Sequence, residues 1–154
     1  PTSLPKNFPF DVFDIILRAE AGAFFDEFLL TKKDKTMVEQ NEKSRANSLR
    51  QSRLIPAVEY IQANRFRTKL IEETNKIFNN YDIIISPSFG KNQLLITNLT
   101  GHPAISIPNG LDENNRPTSI TFIANYYQED VLLSFVDLIQ KETNHHLNKP
   151  PLFY

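Results

Sequence analysis

The side chains able to do chemistry are few and scattered. His102 stands in the turn Gly101-His102-Pro103, close to Asn98 and Thr100. A histidine acting as general base needs a nucleophile and an orienting partner within hydrogen-bond reach, and no motif here supplies them. A loop histidine, or a residue lining a cleft, is the simpler account. Ser86 and Ser88 flank Pro87 in Ser86-Pro87-Ser88-Phe89-Gly90. A nucleophile elbow reads Gly-x-Ser-x-Gly on a tight strand-to-helix turn. Here proline intrudes and no glycine precedes the serine, so the stretch is expected to shape a cleft mouth. His145 and His146 are adjacent and point apart on a helix or strand, whereas ligands on one helix face need i, i+3 or i, i+4 spacing. A helix end with well-placed cations explains them without a metal. Glu20 projects onto the apolar face of a predicted helix, where a carboxylate must pair or shift its pKa. Arg18, Arg50 and Arg53 are its candidate partners.

The remaining motifs are weaker. Asn98-Leu99-Thr100 fits the N-glycosylation pattern, which needs a secretory context that nothing else supports. Lys32-Lys33-Asp34-Lys35 reads as a solvated surface run. Only four glycines occur, at 22, 90, 101 and 110, and none forms a phosphate-binding loop.

These residues must be positioned by helices and short strands. Pro1 to Pro9 is an extended lead-in. A helix is predicted over about 10–30, with Phe13, Leu17, Ala21, Phe24 and Phe28 on one face and Asn7 or Asp11 as cap. Residues 31–52 are polar and read as a surface connection with at most a short helical piece. A second helix is expected over about 53–79. Leu54, Val58 and Ile61 share one of its faces; Leu70, Ile71, Ile77 and Phe78 share another. Asp82 to Pro87 is a β-branched run that reads as a strand buried on both faces. Ala104–Ile107 and Ser119–Ala124 are further strands, separated by the polar turn at 112–117. A last helix over 128–143 carries Val131, Leu132, Phe135, Leu138 and Ile139, with Glu129 and Asp130 at its positive end. The tail Asn148-Lys149-Pro150-Pro151 is extended. Helices flanking short buried strands make the fold class α/β or α+β, with α/β the expectation taken forward.

With 154 residues, 40% hydrophobic and 23% charged, the chain has ordinary globular composition. The net charge of −1 gives no reason to expect nucleic acid or an anionic membrane as a direct partner. The absence of cysteine excludes a disulfide scaffold, a cysteine nucleophile and a thiolate metal site. Apolar runs fall short of the ~20 residues of a membrane span, and no signal-peptide pattern is present. The chain opens with Pro1 and holds a single methionine, Met37, so its natural start is expected upstream. A cytoplasmic location is weakly favoured.

The most specific segment is Thr97-Asn98-Leu99-Thr100-Gly101-His102-Pro103-Ala104-Ile105-Ser106-Ile107-Pro108-Asn109-Gly110. It reads as loop, buried strand and turn. It resembles the TNLTG-x-PA-x-x-x-PNG segment in the C-terminal half of amidase signature enzymes. Arg18 to Glu27 resembles the Arg-Ala-Glu-Ala-rich helix of one bacterial branch. Arg53 to Arg65, RLIPAVEYIQANR, is similar to that branch's RLIPAVEYLQANR helix. Asp82 to Pro87 and Pro117 to Ala124 complete the ordered set.

The resemblance implies the C-terminal part of the amidase signature fold, with short mixed-sheet strands between helices. It also implies that residues 1–154 form a single piece lacking the N-terminal catalytic part. The family's Ser-Ser-Lys triad and glycine-serine loop have no counterpart here, so no catalytic residue carries over. What carries over is a cleft wall of Asn98, Thr100, Gly101, His102 and Pro103. The parent would hydrolyse a carboxylic amide without metal or organic cofactor, and the chain alone would be inactive. Its partners would be the missing N-terminal part, a small amide substrate and, through exposed strand edges, a second copy. Two alternatives stay open: the A subunit of a tRNA-dependent amidotransferase, and a non-enzymatic α/β interaction domain.

Overall fold

The computed structural model describes residues 2–148. They gather into two compact units, residues 7–69 and residues 2–6 with 70–148. The extended tail expected beyond Asn148 lies outside the described residues.

In the unit of residues 7–69 the expected helix over 10–30 is divided. A 3-10 turn, Phe10–Phe13, leads into α1 (Asp14–Phe24), and α2 (Asp26–Leu30) follows a break at Phe25, whose φ of −95° and ψ of 18° leave the helical region. The buried residues here are Phe13, Ile16 and Gly22, whereas Leu17 and Phe24 of the expected stripe are 62% and 81% exposed. Packing selects the face. A Cβ on Gly22 would lie 2.1 Å from Ser52 Oγ, so α1 meets α3 (Arg45–Ser52) closer than any side chain at 22 would allow.

The polar stretch 31–52 is not a surface connection throughout. Ser44 caps α3 by accepting from the Asn47 N–H at 3.2 Å, and Ala46 and Leu49 are buried. Asp34 is buried as well, and accepts from Arg50 Nε at 2.6 Å. Gln40 closes this network, donating to the Asp34 carbonyl at 2.9 Å and accepting from Arg50 at 2.8 Å. Polar composition misleads here because the groups satisfy one another. Glu20 is exposed and accepts from the Tyr60 hydroxyl at 3.2 Å. Its candidate arginines are engaged elsewhere: Arg18 with Gln51 and Asp14, Arg50 with Asp34, Arg53 with Asp26.

Helix α4 (Ala57–Phe78) gives its first part to this unit and its last part to the other. Leu54, Val58 and Ile61 are exposed, and Leu70 and Phe78 are buried.

In the other unit three strands, β1 (Ile83–Pro87), β2 (Ala104–Leu111) and β3 (Pro117–Ala124), form a sheet in the order β1-β3-β2. Both pairings are antiparallel, so the parallel component of the expected mixed sheet is not among the described residues. The β2–β3 turn is held by the Asp112 carboxylate, which accepts from the N–H groups of Asn114 and Arg116 at 2.8 and 2.9 Å. The N–H of Arg116, with help from that of Asn114 and from the Arg116 side chain, holds the Asp112 pKa below its usual value.

The two faces of the sheet differ. Ile107, Phe122 and Ala124 pack on Leu132 and Val136 of α6 (Glu129–Thr143), joined by Phe135 and Ile139. Val131 and Leu138, expected on that stripe, are largely exposed. On the other face Ile84 and Ile123 pack on Phe78 at the end of α4. β1 is an edge strand, and Ile85 is 56% exposed, so it is not covered on both faces as its composition suggests.

Candidate functional site

The face that begins with Ile84 and Ile123 turns polar along the strands. Thr121 pairs across the sheet with Ser86 on one side and Ser106 on the other. Successive side chains alternate between faces, so the residues two steps from the apolar pair are hydroxyls on the same side. Ser88, just past β1, closes a triangle with them. Its Oγ lies 2.7 Å from Ser106 Oγ and 2.9 Å from Thr121 Oγ1, and the third side measures 3.2 Å. The sequence pattern points to Ser88 but to neither Ser106 nor Thr121. Their only signal is a serine and a threonine set at alternate places in apolar strands, and strand register is needed to join them.

Against these hydroxyls stands α5 (Gln93–Thr100). The stretch Thr97–Thr100, expected as loop, is the end of this helix. Gly101 terminates it with φ 81° and ψ 13°, and its N–H donates to the Thr97 carbonyl at 2.9 Å. That left-handed conformation is the reason for glycine here, since a Cβ would meet only Tyr126 at an ordinary 3.9 Å. β2 begins three residues later. Between helix and sheet lies a cleft of about 410 Å³. A larger groove of about 920 Å³ borders β1, where Ile83, Ile84, Ile85 and Ile96 line it together with Ser86 and Asn92.

The five predicted wall residues take different places. Asn98 and His102 line the cleft; Thr100, Gly101 and Pro103 do not. Thr100 stands behind His102, with its Oγ1 2.8 Å from Nδ1. Pro103 anchors the turn through its carbonyl, which accepts from the Ala124 N–H at 3.0 Å. Gln93 and Thr97 also line the cleft; Thr97 opens the TNLTG motif, whereas no sequence motif marks Gln93.

His102 is no loop histidine on the surface. It is 4% exposed and stacked between Phe78 and Tyr126, with centroid distances of 4.6 and 4.2 Å. The Tyr126 hydroxyl donates to the Thr100 carbonyl at 2.6 Å, satisfying a helix-end group. Burial pushes the imidazole pKa down from 6.5 to about 4, so His102 is neutral near pH 7. A neutral imidazole can accept or donate one hydrogen bond at Nε2, which is buried and has no partner among the described residues. The hydroxyl against the ring is that of Thr100, which is buried and lies 2.8 Å from Nδ1 and 2.9 Å from the Ile96 carbonyl. His145 and His146 lie in a short 3-10 turn after α6, and no cluster of three potential metal ligands occurs among the described residues. No helix is long and apolar enough to cross a membrane among those residues.

Known proteins share both the sequence pattern and this arrangement of elements. No family model matches the chain. It is 33% identical over 108 residues to the A subunit of glutamyl-tRNA(Gln) amidotransferase from Acinetobacter baylyi, covering 58% of this chain and 22% of that protein. The protein of the same name from Listeria innocua is 32% identical over 112 residues, covering 60% of this chain and 23% of that protein. Among solved structures, 6-aminohexanoate cyclic dimer hydrolase matches with a TM-score of 0.70 at 14% identity, over 97% of this chain and 38% of that one. A crystal structure of an amidase matches with a TM-score of 0.63 at 19% identity, over 81% of this chain and 33% of that one. The chain spans about a fifth of the length of the curated relatives it matches. In sequence the chain is similar to part of the amidotransferase A subunits, and its fold is like that of part of solved amidases.

Proposed function

We propose that the 154 residues are one piece of a hydrolase that cleaves a carboxylic amide C–N bond, with its Ser-Ser-Lys triad outside this stretch. The observation that carries this reading is 33% identity over 108 residues to part of an amidotransferase, in a chain sharing the fold of amidases. In the parent a serine hydroxyl, its proton passed through a second serine and a lysine, attacks the amide carbonyl. The amine leaves and water resolves the acyl-enzyme. In this reading Asn98, Thr100, Gly101, His102 and Pro103 build one wall of the substrate cleft. Asn98 and His102 face it and the other three hold them in place.

The chain by itself is inactive in this reading. The test is an amide-hydrolysis assay of this chain beside its full-length parent. Turnover by the chain comparable with the parent's would overturn it, as would a parent inert toward every amide tried. The partner that completes the sheet is the remainder of the same polypeptide or, in its absence, a second copy. Support comes from β1 and β2, which have no further strand beside them among the described residues, and from the exposed Ile85. Sedimentation giving only monomer at all concentrations would count against the second copy.

A second reading follows from the relatives' name: the parent releases ammonia from glutamine for tRNA-dependent amidation. Glutamine-dependent amidation of mischarged tRNA by the parent with its neighbouring subunits would select it over a stand-alone amidase.

A further inference from the structure

Asn109-Gly110 is the single Asn-Gly pair in the chain. An asparagine followed by glycine carries its own reaction partner. The glycine nitrogen can reach the side-chain carbonyl carbon, and no Cβ stands in the way. In a folded protein the outcome depends on how firmly the backbone is held.

Several features loosen the backbone at this place. The pair lies in β2, an edge strand in the order β1-β3-β2. Pro108 has no N–H to give to β3. The register with β3 joins Pro108 to Ser119 and then Leu111 to Pro117, so Asn109 and Gly110 together face Thr118. Two residues against one form a β-bulge, which leaves the extra residue outside the ladder. Gly110 has a φ of 101°, a conformation open to glycine, and its carbonyl accepts from the Thr118 hydroxyl at 3.1 Å. Asn109 is exposed, and its side-chain amide makes no hydrogen bond among the described residues. Asn47, followed by the small Ser48, is held differently. It lies inside α3, and its amide donates to the Glu42 carbonyl at 2.8 Å.

We propose that Asn109 is a site of spontaneous deamidation in the folded chain, giving aspartate and isoaspartate at position 109. The Gly110 nitrogen loses its proton to solvent base and bonds to Asn109 Cγ. The bond from Cγ to the side-chain nitrogen breaks, and that nitrogen leaves as ammonia. The five-membered succinimide then takes up water. Opening at Cγ gives aspartate, and opening at the main-chain carbonyl gives isoaspartate, with one methylene added to the chain path. One water enters, one ammonia leaves, and nothing is oxidised or reduced. Both products set a carboxylate beside Gly110, on which the His145 imidazole packs; a Cβ at 110 would stand 3.7 Å from His145 Cε1. Isoaspartate also lengthens β2 where it meets the turn His145–Leu147.

The freshly purified 154-residue chain is incubated in mildly alkaline buffer, once folded and once unfolded in urea. Digests are followed by mass spectrometry, in which conversion adds one dalton and isoaspartyl peptides elute apart from aspartyl ones. In the folded chain Asn109 is expected to convert before every other asparagine, and no more than severalfold slower than in urea. Gly110→Ala should slow the conversion in urea by an order of magnitude, because a Cβ then crowds the attacking nitrogen whatever the fold. Asn109→Gln should abolish the gain at this position, since ring closure would need a six-membered ring. Conversion in urea with the folded chain unchanged shows a backbone held shut and overturns the proposal. So does earlier conversion at another asparagine, or a rate that Gly110→Ala leaves alone. Should the chain by itself not fold, the full-length parent repeats the folded arm with the same two outcomes.

Discussion

Thr100 Oγ1 stands 2.8 Å from His102 Nδ1 and 2.9 Å from the Ile96 carbonyl, so one hydroxyl joins a buried histidine to the last turn of α5. The same histidine is pressed between Phe78 and Tyr126. One turn of chain, Thr100 to His102, thus ties the end of α5 to the start of β2.

Stability is expected to depend on pH through His102. The folded pKa, about 4, lies below the usual 6.5, so between these values the unfolded chain binds the proton and the folded chain does not. Stability from this group is therefore complete above 6.5 and falls as the pH drops toward 4, by up to about 3 kcal/mol. Urea midpoints across this window check it. His102→Phe keeps the stack and should remove most of the slope; an unchanged slope would place the titration elsewhere.

Thr100→Val removes the hydroxyl partner of His102 Nδ1 with little change of shape. It is expected to cost about 1–3 kcal/mol, the penalty of an unpaired buried polar group. Thr100→Ser restores the hydroxyl and should recover most of it. Denaturant unfolding of the pair measures the difference, and equal losses in both would point to the methyl group instead.

Gly22→Ala is expected to destabilise the unit of residues 7–69 by about 1–3 kcal/mol, because the new methyl would overlap Ser52 Oγ. Ser52→Gly should relieve much of this in the double variant. Hydrogen exchange of the amides in α1 and α3 reads the effect locally.

The Asp34–Arg50 pair is tested by a double-mutant cycle with Asp34→Asn and Arg50→Met. Asp34 is buried and Arg50 is partly exposed, so a coupling of about 1–2 kcal/mol is expected. A coupling near zero would reduce the pair to surface electrostatics.

The cleft is partly legible in the sequence. The breaker pattern around Gly101 and Pro103 and the family resemblance mark Asn98 to Pro103, and Asn98 and His102 do line the cleft. Gln93 escapes notice because nothing local distinguishes a glutamine at a helix start. Ser106 and Thr121 escape it because their partners lie across strands. The expected loop at Thr97–Thr100 is helix because α5 buries Ile96 and Leu99 against the unit's interior, outweighing the modest helix propensity of threonine and asparagine.

Composition and periodicity pointed to the three strands and the helix Glu129–Thr143, and the ordered motifs to a likeness with amidases. Those are local properties: β-branched runs, breakers and i, i+4 stripes act over a few residues. Which face is buried was decided only in three dimensions. Ile16 rather than Leu17, and Val136 rather than Leu138, face inward because Gly22 fits against Ser52 and α6 lies across Phe122. The chemistry of the cleft was decided there too. A histidine stays neutral near pH 7 here because it is buried and stacked between two aromatic rings.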